Sequence, residues 1–106
     1  MSFNDDVFDV VRLIPSGRVT AYGDIARYIG DARASRRVGW ALNNSFAIEP
    51  RLPAHRVVIR NGMLSGALHF PPDMPMDAAL EKEGVKVKDV QVVDFDKVFW
   101  DPMTEL

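Results

Sequence analysis

The stretch Val19-Thr20-Ala21-Tyr22-Gly23-Asp24-Ile25-Ala26-Arg27-Tyr28-Ile29-Gly30-Asp31-Ala32-Arg33-Ala34-Ser35-Arg36-Arg37-Val38-Gly39-Trp40-Ala41-Leu42 holds two short helices and the turn between them. Ile25, Ala26 and Ile29 fall on one face of a helix over residues 23–29, and Gly30 supplies a left-handed residue that ends it. Asp31-Ala32-Arg33 is a tight link. Val38, Ala41 and Leu42 then recur at helical spacing, so residues 34–44 read as a second helix buried through those three. Two short helices joined by a glycine-containing turn make a helix-turn-helix outline. Many helical hairpins share that outline, so the surrounding sequence has to decide what it means.

Upstream, Phe3, Val7, Val10, Val11 and Ile14 give an amphipathic helix over residues 3–14, with Ser2 and Asp5 spaced as a capping box. Pro15-Ser16-Gly17 stops it, and Val19-Thr20 is a short extended piece in which Thr20 is expected to cap the next helix. Downstream, residues 46–53 are irregular and Val57-Val58-Ile59 reads as a strand. Asn61-Gly62 is a hairpin turn signal leading to Met63-Leu64. A loop with three prolines covers residues 65–75, and a helix over residues 77–83 ends at Gly84. Val85, Val87, Val90, Val92 and Val93 suggest short strands, and Val98, Phe99 and Trp100 a tail packed on the core. The expected fold is α+β, one small domain over residues 1–106 with a winged helix-turn-helix.

Composition narrows the class. The 106 residues contain no cysteine, so disulfides, thiol chemistry and cysteine metal sites are excluded. His55 and His69 are the only histidines, with no acids at ligand spacing, so neither a metal nor another cofactor is expected. No apolar run approaches the roughly 20 residues of a membrane span, and Met1 to Asp6 are too acidic for a secretory signal. A cytoplasmic protein, nucleoid-associated when bound to DNA, is the expectation. The formal net charge is −2, but it is unevenly spread. All nine arginines lie in residues 1–60, and the stretch from Arg33 to Arg60 has six of them against one acid, Glu49. A local basic face is what phosphate binding needs, whatever the total.

Four segments now become recognisable. Residues 14–26, from Ile14-Pro15-Ser16-Gly17-Arg18-Val19 to Tyr22-Gly23-Asp24-Ile25-Ala26, resemble the O6-alkylguanine-DNA alkyltransferase family. So do Ala34-Ser35-Arg36-Arg37-Val38-Gly39-Trp40-Ala41-Leu42, Pro53-Ala54-His55-Arg56-Val57-Val58 followed by Asn61-Gly62, and Leu80-Glu81-Lys82-Glu83-Gly84-Val85. They occur in the family's order over roughly residues 8–85. The resemblance implies the family's C-terminal DNA-binding domain without its separate N-terminal domain. One departure decides the chemistry: the family's acceptor cysteine is replaced by Ala54. A methyl group has no lone pair to attack and no proton to lose, so alkyl transfer is excluded there. The chain therefore looks like an alkyltransferase-like protein, not an enzyme, which binds alkylated guanine without repairing it. Such relatives commonly carry tryptophan at this position.

The resemblance also assigns roles. Tyr22 would crowd the phosphate beside the target nucleotide, although without the resemblance it reads better as a half-buried tyrosine whose ring packs on the core. Arg36 would enter the base stack, where a planar five-donor head can fill the vacated space. Arg37 would meet phosphate or an acid, and Arg33 belongs to the same basic stretch. Ala34, Ser35 and Gly39 would let the helix approach the minor groove closely. Trp40 stands where many relatives have a small residue and reads as core or rim, without a site role. Pro53, Ala54, His55, Leu64, Ser65 and His69 would line the lesion pocket, with His69 and Phe70 either a stacking surface or part of a packed loop. His55 and Glu83 would remain as a hydrogen-bonded pair, and Arg56 would tie loop to helix. The implied partners are duplex DNA containing alkylated guanine and nucleotide excision repair proteins, with the chain itself a monomer. Two rivals differ in what they predict: a winged helix-turn-helix regulator would prefer one DNA sequence, and an enzyme using His55 or Glu83 would remove the alkyl group.

Overall fold

Ser2 closes a capping box on the first helix: its Oγ accepts from the Asp5 amide at 3.1 Å, and Asp5 Oδ2 accepts from the Ser2 amide at 3.4 Å. The computed structural model describes residues 2–48 and 50–106. Met1 and Glu49, both used in the charge and signal readings above, lie outside the described residues. The capped helix, α1 (Phe3–Leu13), buries Val7, Val10 and Val11. Gly17 then turns the chain at φ +84°. Strand β1 (Thr20–Ala21) leads directly into α2 (Tyr22–Ile29), and α3 (Ser35–Asn43) follows. Strand β2 (Val57–Val58) lies parallel to β1, with Thr20 opposite Val57 and Ala21 opposite Val58. That pairing brings residues 54–58 under the start of α2, from a point more than thirty positions away.

The second half packs around α4 (Met76–Lys82) and a small antiparallel pair, β3 (Val87–Lys88) with β4 (Gln91–Val92). Two short helices end the chain, α5 (Phe95–Val98) and α6 (Pro102–Glu105). The core falls into two clusters. One joins α1, α2 and α3 through Val7, Val11, Ile25 and Val38, and also holds Ala54 and Trp100. The other gathers Val19, Val58, Leu64, Met76, Leu80 and Val92. The tail is fixed as its apolar residues suggest: Val19 accepts from the Trp100 amide at 2.7 Å, and Arg18 Nε donates to the Val98 carbonyl at 3.1 Å.

Two local expectations need correction. Thr20 does not cap α2; the cap is Ala21, and Thr20 is fully buried in β1 with its Oγ1 unbonded among the described residues. Pairing with β2 held the Thr20 backbone extended, which took the side chain away from the helix start. Asn61-Gly62 does turn the chain, with the Gly62 amide on the Ile59 carbonyl at 2.8 Å and the Ile59 amide on the Met63 carbonyl at 3.2 Å, but the return stays a single bond, and Met63 bridges to Gln91 on its other side without extending into a strand. Of the two placements expected for Trp40, core or rim, it takes the rim, at 58% exposed. None of the helices among the described residues is long and apolar enough to cross a membrane.

Candidate nucleic-acid interface

The helix-turn-helix is closed by backbone bonds. Gly30 takes φ +112° after α2, its amide bonds the Ala26 and Arg27 carbonyls at 3.1 Å, and the Asp31 amide reaches back to Ala26 at 3.0 Å. A glycine is suited to this left-handed stop, which fixes the angle at which α3 leaves. Asp31 Oδ1 accepts from the Arg33 amide at 3.1 Å, and the Ala34 amide bonds Asp31 before α3 begins. Helix α3 buries Val38, Ala41 and Leu42. Ser35, Arg36, Gly39, Trp40 and Asn43 line the open groove beside it.

That groove is about 920 Å³ and is floored by Ala21, Tyr22 and Gly23. Its other wall comes from Ile59, Arg60 and Asn61 and from Ser65 and Gly66. Three arginines reach it: Arg27, held to Asp24 at 2.6 Å, and Arg36 and Arg60, which have no ion-pair partner among the described residues. Tyr22 is central. Its ring is 3.8 Å from where a β-carbon on Gly39 would stand, and its hydroxyl 2.8 Å from where one on Gly66 would stand. Burial pushes the Tyr22 hydroxyl above its ordinary pKa, against the lowering influence of the Ser65 side chain. The tyrosine thus bridges α3 to the loop after Leu64.

Other proposed residues lie elsewhere. Ala54 is 5% exposed and Leu64 4% exposed, each within a core cluster. His69 is exposed at the end of the turn Ala67–His69, and Pro53 is half-buried. None of these four, nor His55, lines the groove. Arg37 lies outside it too, its guanidinium carbon 4.1 Å over the Phe3 ring centre, so its neighbour is an aromatic ring in place of an acid. Arg33 is exposed on the link, and Ala34 is buried. Of the expected site residues, the groove therefore unites Tyr22, Ser35, Arg36, Gly39 and Ser65. It also contains residues to which the sequence reading gave no individual site role: Gly66, Asn43, Asn61, Trp40 and Arg60, the last at the end of the basic stretch. For Trp40 a signal existed, since it follows Arg36 by four positions and so shares its helix face.

Beneath Ala54, Glu83 gathers three segments. His55 Nε2 donates to its Oε2 at 2.8 Å, Arg56 Nη2 donates at 2.6 Å and Nε at 3.0 Å, and the Gly17 amide donates at 3.2 Å. Arg56 Nη1 also reaches the Ile14 carbonyl at 2.7 Å, tying the end of α1 into the same network. Burial alone would raise the Glu83 carboxyl, but hydrogen bonds from Arg56, then His55 and Gly17, hold it down at about 2. Burial lowers the His55 pKa despite the carboxylate beside it. With Glu83 ionised, the imidazole keeps its proton on Nε2, and that N–H donates a hydrogen bond to the carboxylate. Arg56 is consumed by this network, which removes it from the pool of arginines available to phosphate.

Residues 2–85 match the family model described as 6-O-methylguanine DNA methyltransferase, DNA binding domain. The DNA base-flipping protein of Escherichia coli is 39% identical over 99 residues, covering 93% of this chain and 74% of that one. Alkyltransferase-like protein 1 of Schizosaccharomyces pombe is 36% identical over 85 residues, covering 80% of this chain and 78% of its own. The crystal structure of S. pombe Atl1 in complex with damaged DNA containing O6-carboxymethylguanine superimposes with a TM-score of 0.78 at 31% identity, covering 94% of this chain and 95% of that one.

Proposed function

The chain belongs to the 6-O-methylguanine DNA methyltransferase DNA-binding family, and from that premise we propose that it recognises O6-alkylguanine in duplex DNA without repairing it. Helix α3 docks in the minor groove, Tyr22 presses on the phosphate beside the lesion, and Arg36 takes the place of the extruded nucleotide. One observation carries this reading: Tyr22, Arg36, Ser35 and Gly39 meet in a single arginine-bearing groove, while the position that would accept the alkyl group is Ala54. Turning a nucleotide out costs a few kcal/mol, less at a weakened lesion pair, and that difference contributes selectivity.

The extruded base goes to the pocket of Pro53, Ala54, His55, Leu64, Ser65 and His69. Because Ala54 and Leu64 are buried and Tyr22 rests against the 65–66 backbone, admitting the base requires that loop to move away from the tyrosine. The neutral His55, braced by Glu83, provides a fixed floor in place of an activating base. The chain acts as a monomer, in the cytoplasm and on the nucleoid, and its bound complex is passed to nucleotide excision repair proteins.

Two readouts on one duplex test this. Incubation with DNA labelled on the O6-alkyl group should leave the label on the DNA, and a fluorescent base analogue opposite the lesion should brighten as the stack opens. Label on the protein would exclude the non-transfer reading. Tight lesion binding without any brightening would exclude flipping.

A further inference from the structure

Trp40 is exposed on a helix whose buried face is already filled by Val38, Ala41 and Leu42. It is 58% exposed, whereas Trp100, the other tryptophan, is 3% exposed in the core. Its backbone is held: Asn44 Nδ2 donates to the Trp40 carbonyl at 2.9 Å and secures the last turn of α3. Trp40 and Arg36 lie one turn apart on the same side of the helix, and both line the groove over Tyr22. Asn43 extends that wall, with Arg60 and Asn61 facing it.

A lone exposed aromatic needs no explanation in general. This one stands among Arg36, Arg60, Asn43 and Asn61, and the only acid in the groove among the described residues, Asp24, is already paired with Arg27. Cations for phosphate beside a ring for sugars and base edges make a surface suited to nucleic acid. A protein-docking patch would surround the indole with apolar side chains, and those are largely missing from this wall.

We infer that Trp40 is a second wedge in the DNA minor groove. The inference rests on the docking of α3 proposed above and adds a contact to it. Four residues of helix advance about 6 Å, close to two base steps of about 3.4 Å each. With Arg36 in the stack, the indole therefore packs on deoxyribose and base edges about two steps from the extruded nucleotide. There it props the groove open and braces the bent duplex.

The test uses the full chain, duplexes with guanine or O6-methylguanine at one position, and the variants Trp40→Ala and Trp40→Phe. Acrylamide quenching of tryptophan emission reports Trp40, because Trp100 is buried. Saturating DNA should shield the quenchable tryptophan. Trp40→Ala should weaken lesion binding on the order of tenfold, and Trp40→Phe should retain most of the affinity. A tryptophan equally quenchable with and without DNA, or Trp40→Ala binding within about twofold of wild type, would overturn the inference and leave this surface free for a protein partner. If wild type shields Trp40 but binds both duplexes equally, lesion recognition fails while the wedge stands. If wild type binds neither duplex, both fail.

Discussion

The Tyr22 hydroxyl rests directly on Gly66: a β-carbon at residue 66 would stand 2.8 Å from it, nearer than real side chains approach. Glycine is needed there because of the tyrosine, since no positive φ constrains residue 66. Gly66→Ala should therefore displace the tip of Tyr22 while leaving the core clusters in place. Lesion affinity and base-analogue brightening should both fall, with thermal stability changing by about 1 kcal/mol or less. A binding titration beside a melting curve checks this. Unchanged affinity would mean that the position of Tyr22 does not matter to binding.

Gly39 gives the opposite kind of outcome. An added β-carbon would sit 3.8 Å from the Tyr22 ring, an ordinary contact. Alanine also favours helix by roughly 0.8–1 kcal/mol over glycine. Gly39→Ala should raise the melting temperature by a few degrees and yet weaken DNA binding, because the methyl group stands in the groove. A more stable variant that binds as well as wild type would show that α3 does not approach the duplex through this face.

The arginines should separate by salt dependence. Arg60 lines the groove unpaired among the described residues, so Arg60→Ala should flatten the log–log salt slope by about one unit. Arg37 stacks on Phe3, so Arg37→Ala should leave the slope nearly unchanged and cost about 0.5–1 kcal/mol of stability. Arg36→Ala should lose more affinity than Arg60→Ala if, as proposed, it removes the group that fills the stack as well as a charge. Equal behaviour of the three variants would contradict the geometry.

Acid should find the Glu83 network. Folding lowers the Glu83 pKa from 4.5 to about 2, so its contribution is complete above pH 4.5 and lost as pH falls through 2. The His55 pKa is also lowered from 6.5, so its smaller contribution begins to fall below pH 6.5. Both act in one direction, and stability should decline on acidification, most steeply below pH 4.5. Glu83→Gln should cost on the order of 3 kcal/mol at neutral pH and remove most of the acid-dependent slope. Urea titrations from pH 7 to pH 3 measure it.

Periodicity and caps placed α1, α2 and α3 because those features are local: Ser2 with Asp5, Gly30 after Ile29, and Val38 with Ala41 and Leu42 each act within a few residues. The groove was only partly legible. Tyr22, Arg36 and Gly39 could be named through the resemblance, but Arg60, Asn61 and Gly66 arrive there by the parallel pairing of β1 with β2, a contact across more than thirty residues. The same pairing, and not residue type, decided that Thr20 would be a buried strand residue. The Glu83 network was foreseen as a pair with His55. Arg56 was expected to tie loop to helix, but that its partner is this same carboxylate, joined by the Gly17 amide, depends on where three distant segments meet.

If this chain tells an alkylated guanine from an intact one by binding alone, two duplexes identical except for guanine or O6-methylguanine at one position, titrated at a single salt concentration, should differ in affinity. The O6-methylguanine duplex should bind more tightly, by on the order of tenfold or more. Equal affinity for the two would rule out lesion recognition and leave a helix-turn-helix protein that binds duplex DNA without reading the lesion.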